Sequence, residues 1–167
     1  VDYRRALGLL LKVVDGLSND QFFEQIGPTS HSVVFDHWHT ARYIDQSQKT
    51  VTDTSQIWHS NDVASTWGWN SATLGPYENG TGIEDEVAFA RSWPARDKVL
   101  SYVRIVFDAA HDAIDTVDKK AFRTPYPSWP GQSIGSVVMN DLQHSYRHLG
   151  MIEALRGVMG LQGTATN

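Results

Sequence analysis

The chain has 167 residues, 41% of them hydrophobic, and a formal net charge of −5. That is one domain's worth of sequence with enough apolar mass for a real core, and no stretch approaches the ~20 apolar residues of a membrane-spanning helix. Lys and Arg are scattered and outnumbered, which argues against the basic face that a nucleic-acid binder needs to displace phosphate counterions. There is no cysteine. Disulfides and thiolate ligands are excluded, and His, Asp and Glu are left for any metal. No export feature is read from the sequence, so the expected location is cytoplasmic.

Asp2 to about Val14 carries Tyr3, Ala6, Leu9, Leu10 and Val13 along one face, with Gly16 as its stop, and predicts the first helix. Ser18-Asn19-Asp20-Gln21 has the spacing of a capping box and opens a short turn. A second helix is expected from about Ser32 to Gln48, with Thr29 or Ser30 as its cap and Pro28 just ahead. Thr50 to Gly82 is rich in breakers, and a connection that long must either serve a purpose or hide short helices. Glu84 to Ala90 predicts a short helix. Ser92 is the expected cap of the next one, with Pro94 in its first turn and its end near Asp118. Phe122 to Gln132 reads as a second crossover, and the last helix is expected from about Ser133 to Gly160. The fold class is therefore all-α: a four-helix bundle with two long connections, forming a single domain over residues 1–162, with a frayed tail at 163–167.

His144 and His148 lie four residues apart in the last helix, so both imidazoles point the same way and can close on one point. Val137, Met151, Ile152, Leu155 and Met159 share that face, whereas Gln143, Glu153 and Arg156 fall well round the helix. Two imidazoles beside an apolar stripe need partners. A transition metal would satisfy both, and so would a carboxylate or water for each. A third ligand has to come from elsewhere. His37 and His39 on the second helix point roughly 160° apart and cannot easily serve one site. Val34, Phe35, Trp38 and Ala41 mark the core face between them, and periodicity does not choose.

Other candidates have blander readings. His59 reads as a solvated loop residue, His31 as part of a cap region, and His111 as belonging to an acidic surface with Asp108, Asp112 and Asp115. Trp38 belongs to the core. Trp58, Trp67, Trp69 and Trp129 are expected to anchor the long connections, with at least one of them lining a metal pocket. Arg42 can hold a substrate carboxylate or pair with Asp45 three residues on. Neither a Gly-x-Ser-x-Gly elbow nor a phosphate-binding glycine loop occurs.

The segment His37-Trp38-His39-Thr40-Ala41-Arg42 resembles the WHxAR segment of DinB-like proteins, and His144-x3-His148-Leu149-Gly150-Met151-Ile152 resembles their HxxxHLGQI segment. Gly80-Thr81-Gly82-Ile83 and Leu155-Arg156-Gly157-Val158-Met159-Gly160-Leu161 are similar to the branch called DinB_2. The resemblance runs through nearly the whole chain in consistent order. It implies a bundle carrying one divalent metal on three histidines, which fall on His39, His144 and His148. Met151 departs from the pattern, where glutamine is usual and is not a ligand.

Three neutral nitrogens leave a divalent ion its full charge and open positions, and zinc and nickel both suit them. Such a site can activate water, as in a hydrolase, or a substrate thiolate. The resemblance to thiol-using relatives favours the second: a metal-dependent transferase joining a small-molecule thiol to an electrophilic substrate. The remaining alternative is a non-enzymatic, metal-stapled bundle that binds a ligand. Expected partners are small molecules and a second copy of the chain as a homodimer, with no nucleic acid and no membrane.

Overall fold

A computed structural model describes residues 2–125 and 131–164. Trp129 and tail residues 165–167 lie outside the described residues. Four helices make the frame: α1 (Asp2–Lys12), α3 (Val33–Thr52), α7 (Arg96–Thr116) and α8 (Ile134–Val158). Shorter helices fill the connections: α2 (Asn19–Phe23), α4 (Ile57–Ser60), α5 (Val63–Thr66) and α6 (Asp85–Phe89), with single 3₁₀ turns at Ser71–Thr73 and Ala121–Arg123. There is no strand among the described residues, only an isolated bridge between Pro125 and Ser133. None of the described helices is long and apolar enough to cross a membrane.

Helix α3 is the central element, packed against both α7 and α8, while α1 closes the bundle over α8 and α7. The apolar spacing of three and four residues explains this arrangement. On α7 the buried residues are Val99, Tyr102, Val103, Val106, Phe107, Ala110 and Ala113, a single stripe. It meets Trp38, Ala41 and Ile44 of α3, and α1 adds Leu7 and Leu10 to the same core. Each fully buried aliphatic side chain of this kind contributes about 1.5–3 kcal/mol.

Local chemistry sets the helix ends. The Ser18 capping box forms as its spacing predicts: Gln21 N–H donates to Ser18 Oγ at 3.1 Å, and Ser18 N–H donates to Gln21 Oε1 at 2.9 Å. Helix α3 is capped by Ser32, which accepts from Phe35 N–H at 3.4 Å, and not by Thr29 or Ser30. Ser30 instead donates to the Ile26 carbonyl at 2.6 Å. The expected Ser92 cap of α7 is also corrected. The helix starts at Arg96 after Ala95 with no side-chain cap, and Pro94 precedes its first turn. The Ser92 carbonyl accepts from Trp69 Nε1 at 2.8 Å, so that segment serves the aromatic cluster.

Residues 50–82 do hide short helices, and tryptophans hold them down. Trp38 of α3 meets Trp58, Trp69 and Trp93 at ring distances of 6.1, 5.4 and 5.8 Å, and Trp67 meets Trp58 and Trp69 at 5.5 and 5.1 Å. Edge-to-face packing of this kind adds about 0.5–1.5 kcal/mol per pair beyond burial. The anchoring role is therefore correct for the described tryptophans. At the chain's end, Thr164 is buried and donates to Glu153 through both its backbone N–H and its hydroxyl, so the expected fraying does not reach it.

Candidate metal centre

His39 on α3 faces His144 and His148 on α8, and one nitrogen from each lies within 4.8 Å of the others. Among the described residues this is the group that could hold a metal ion. The i, i+4 spacing on α8 supplies two imidazoles from one face, and the α3–α8 packing brings the third. Two of the three rings are clamped. Phe35, one turn before His39, stacks on it at 5.8 Å and 11°, and Tyr43 stacks on His144 at 4.0 Å and 12°.

Hydrogen bonds fix the ring tautomers. His39 Nδ1 meets the Asn79 carbonyl at 2.5 Å, and a carbonyl can only accept, so the proton sits on Nδ1 and Nε2 keeps its lone pair. His148 Nδ1 meets Asp36 Oδ1 at 3.0 Å, which directs its Nε2 lone pair away from that carboxylate. His39 Nε2 and His144 Nε2 lie 3.1 Å apart. Two lone pairs at that distance repel unless a proton or cation lies between them. Nitrogens sharing one tetrahedral ion at ~2.0–2.1 Å would stand ~3.3 Å apart. The donor set therefore fits a divalent ion.

Electrostatics agree. Burial lowers His39 to about 4, with the positive field of His148 adding to it against the Asn79 bond. Burial, then the fields of His148 and His39, lowers His144 to about 3. Both rings are neutral at pH 7 and have no proton to displace. Asp36 is the negative counterpart. Burial would raise its carboxyl, but hydrogen bonds from His148 and His31 outweigh that and hold it below the usual range. A carboxylate behind a ligand imidazole orients the ring and raises its basicity. Asp36→Asn is expected to weaken metal binding about 10–100-fold in a competition titration with a chromophoric chelator. An unchanged affinity would show that Asp36 does not orient His148.

The Asn79 carbonyl is delivered by a constrained loop. Gly75, Gly80 and Gly82 have φ of 81°, 91° and 76°. A Cβ on Gly80 would come within 2.9 Å of Phe35 Cζ and 3.0 Å of Trp38 Cζ3. Asn79 is buried and locked by its own bonds, donating to Gln46 Oε1 at 2.8 Å and accepting from Thr81 N–H at 2.9 Å. Gly80→Ala therefore combines a disfavoured φ with a steric clash. It is expected to cost about 1–3 kcal/mol in thermal unfolding and to weaken metal binding through His39. Stability and affinity both at the wild-type level would remove the loop from the site.

The remaining sequence candidates are placed elsewhere. His37 is fully buried between Phe22 and Phe107, with ring distances of 6.4 and 6.3 Å, and takes no part in the triad. His59 is half-exposed and lies 3.9 Å from Glu78. The backbone carbonyl of His111 accepts from Arg4, which also pairs with Asp115. Arg42 is fully buried, and its guanidinium is committed within the protein. It donates to Asp45 at 3.0 Å, to the Glu78 carbonyl at 3.0 Å and to Gln56 Oε1 at 3.1 Å. No described tryptophan lines the cavity beside the triad, whose aromatic walls are Tyr43 and Tyr77. The solvated placement of Arg156 is also overturned. It is buried and donates to the carbonyls of Val13, Asp15 and Gln162, while Met151 is 37% exposed.

No curated protein matches the chain. A conserved protein from Enterococcus faecalis, known by its crystal structure, shares the fold with a TM-score of 0.74 at 17% identity, over 95% of this chain and 94% of that one. The family profile DinB_2, described as the DinB superfamily, matches residues 2–152. That span includes all four frame helices up to Ile152 and all three histidines of the triad, and the chain belongs to the DinB superfamily.

Proposed function

We propose that the protein is a divalent-metal-dependent S-transferase that joins a small-molecule thiol to an electrophilic small molecule, with His39, His144 and His148 as the metal ligands. The observation carrying this reading is the convergence of three imidazoles, two of them with tautomers set by a carbonyl and a carboxylate, in a chain without cysteine. Zinc or nickel suits three such nitrogens. Bound there, the ion would hold a thiol in its nucleophilic, deprotonated form at neutral pH. The protein's own part is geometric. Asp36 and Asn79 orient two of the ligands, and Phe35 and Tyr43 clamp rings. The resemblance of its sequence motifs to thiol-using DinB-like proteins supports this chemistry over hydrolysis.

The test is titration of cobalt-substituted protein with low-molecular-weight thiols. Saturable growth of a sulfur-to-cobalt charge-transfer band, and metal-dependent consumption of a model electrophile, are the expected results. Absence of both, with ester or lactone turnover that needs metal, would replace the transferase with a hydrolase.

A further inference from the structure

A cavity of about 430 Å³ opens between α3, the 75–82 loop and the first half of α8. It shares two walls with the triad. Tyr43 stacks on His144, and Asn79 carries the carbonyl bonded to His39. The histidines themselves are not part of its lining, and these two residues are what place the cavity next to the triad.

The lining says what the cavity takes. Asn79 has spent its side-chain amide on Gln46 and Thr81. Other polar groups are still available. Gln56 uses its oxygen to accept from Arg42, which leaves its amide N–H groups. The Asn140 amide nitrogen donates to Tyr43 Oη at 3.5 Å, so its oxygen is available. Thr81 contributes a hydroxyl, and Asp141 Oδ1 is buried with no partner among the described residues. Burial raises Asp141 to about 8, against the bonds from Ser47 and Tyr3. No cationic side chain among the described residues lines the cavity. Arg42 sits behind Gln56 with its guanidinium committed, and Arg147, whose field reaches Tyr43 and His144, is solvent-exposed and outside the lining. A carboxylate carried into this space on the far end of a metal-bound thiol would lose water and meet no cationic side chain in the lining. Hydroxyl and amide groups would exchange water for the free donors and acceptors at little cost.

We propose that this cavity is the substrate pocket of the metal centre, and that it takes an uncharged tail bearing hydroxyl or amide groups and rejects a carboxylate. This rests on the transferase reading above. Three probes share a thiol and differ in the tail: 1-thioglycerol, 2-mercaptoethanol and 3-mercaptopropionate. With cobalt-loaded protein, thioglycerol should bind tightest and mercaptopropionate weakest, by about tenfold or more, which is the scale of one lost hydrogen bond. The double variant Thr81→Val, Asn140→Leu, both at exposed positions, should erase most of that difference while leaving metal content unchanged. Equal or reversed preferences, or a variant that keeps the full difference, would overturn the assignment while leaving thiol binding intact. If no thiol gives a band, the transferase reading fails and the cavity is judged separately. In zinc-loaded protein, the Gln56 and Asn140 side-chain amide resonances should then shift saturably with sorbitol and not with succinate. Shifts with succinate, or none with either, would dispose of the pocket as well.

Discussion

His39→Ala is expected to leave the purified protein without stoichiometric metal, whereas His37→Ala keeps metal content near the wild-type level. The two residues are two positions apart on α3 and point to different sides of it. His39 faces α8, and His37 lies fully buried against Phe22 and Phe107 with neither ring nitrogen partnered among the described residues. His37→Ala leaves a cavity of aromatic-ring size and is expected to cost about 2–5 kcal/mol of stability, a loss visible in melting temperature and not in metal content. The double variant His144→Ala, His148→Ala removes two of three ligands and should abolish binding outright. Elemental analysis of tag-free protein decides each case. Metal that survives the double variant would refute the triad, and loss with His37→Ala alone would mean that the wrong face of α3 was assigned.

What was legible in the sequence divides along a physical line. Periodic features could be read: the α8 imidazole pair, the amphipathic stripes of the frame helices and the Ser18 capping box, all of which depend on residues within a few positions of one another. The choice of His39 over His37 could not be read this way, because both flank the same apolar stripe. It needed the family resemblance. Asp36 escaped notice although it lies three residues before His39 and so on the same side of the helix. Its partner His148 is 112 positions away, and no local pattern marks that bond. The Asn79 carbonyl is a backbone group and leaves no trace in residue types, though the glycines around it hint at a forced loop.

Arg156 was misplaced for a related reason. Helical periodicity counts an arginine as polar and turns it outward, yet here its guanidinium satisfies carbonyls at the end of α1 and beyond α8. Orphan carbonyls at a helix end need donors. A buried arginine supplies several at once, which makes it a structural tie between the first and last helices.

Arg42 and Asp45 form the corresponding tie for the long connection, and Asp45→Ala is expected to cause a large loss of stability. Asp45 is fully buried, and its carboxylate accepts four hydrogen bonds: Ile57 N–H at 2.8 Å, Trp58 N–H at 2.9 Å, Arg42 at 3.0 Å and Tyr102 Oη at 2.9 Å. Gln56 provides no side-chain cap for α4, so Asp45 takes that role from the neighbouring helix. Its removal strands a buried guanidinium, a phenol and two backbone donors together. Breaking one side of a buried ion pair costs about 3–5 kcal/mol, which for a chain of this size lowers the melting temperature on the order of 10 °C. Arg42 Nε also holds the Glu78 carbonyl, next to the Asn79 carbonyl that orients His39. The same substitution should therefore weaken metal binding without touching a ligand. Asp45→Asn, which keeps one acceptor oxygen, should fall between wild type and Asp45→Ala in both measurements. A melting temperature within 2 °C of wild type for Asp45→Ala, an energy change of roughly 1 kcal/mol or less, would show that the pair does not hold the connection. Unchanged metal affinity beside a lowered melting temperature would separate the anchor of the connection from the orientation of His39.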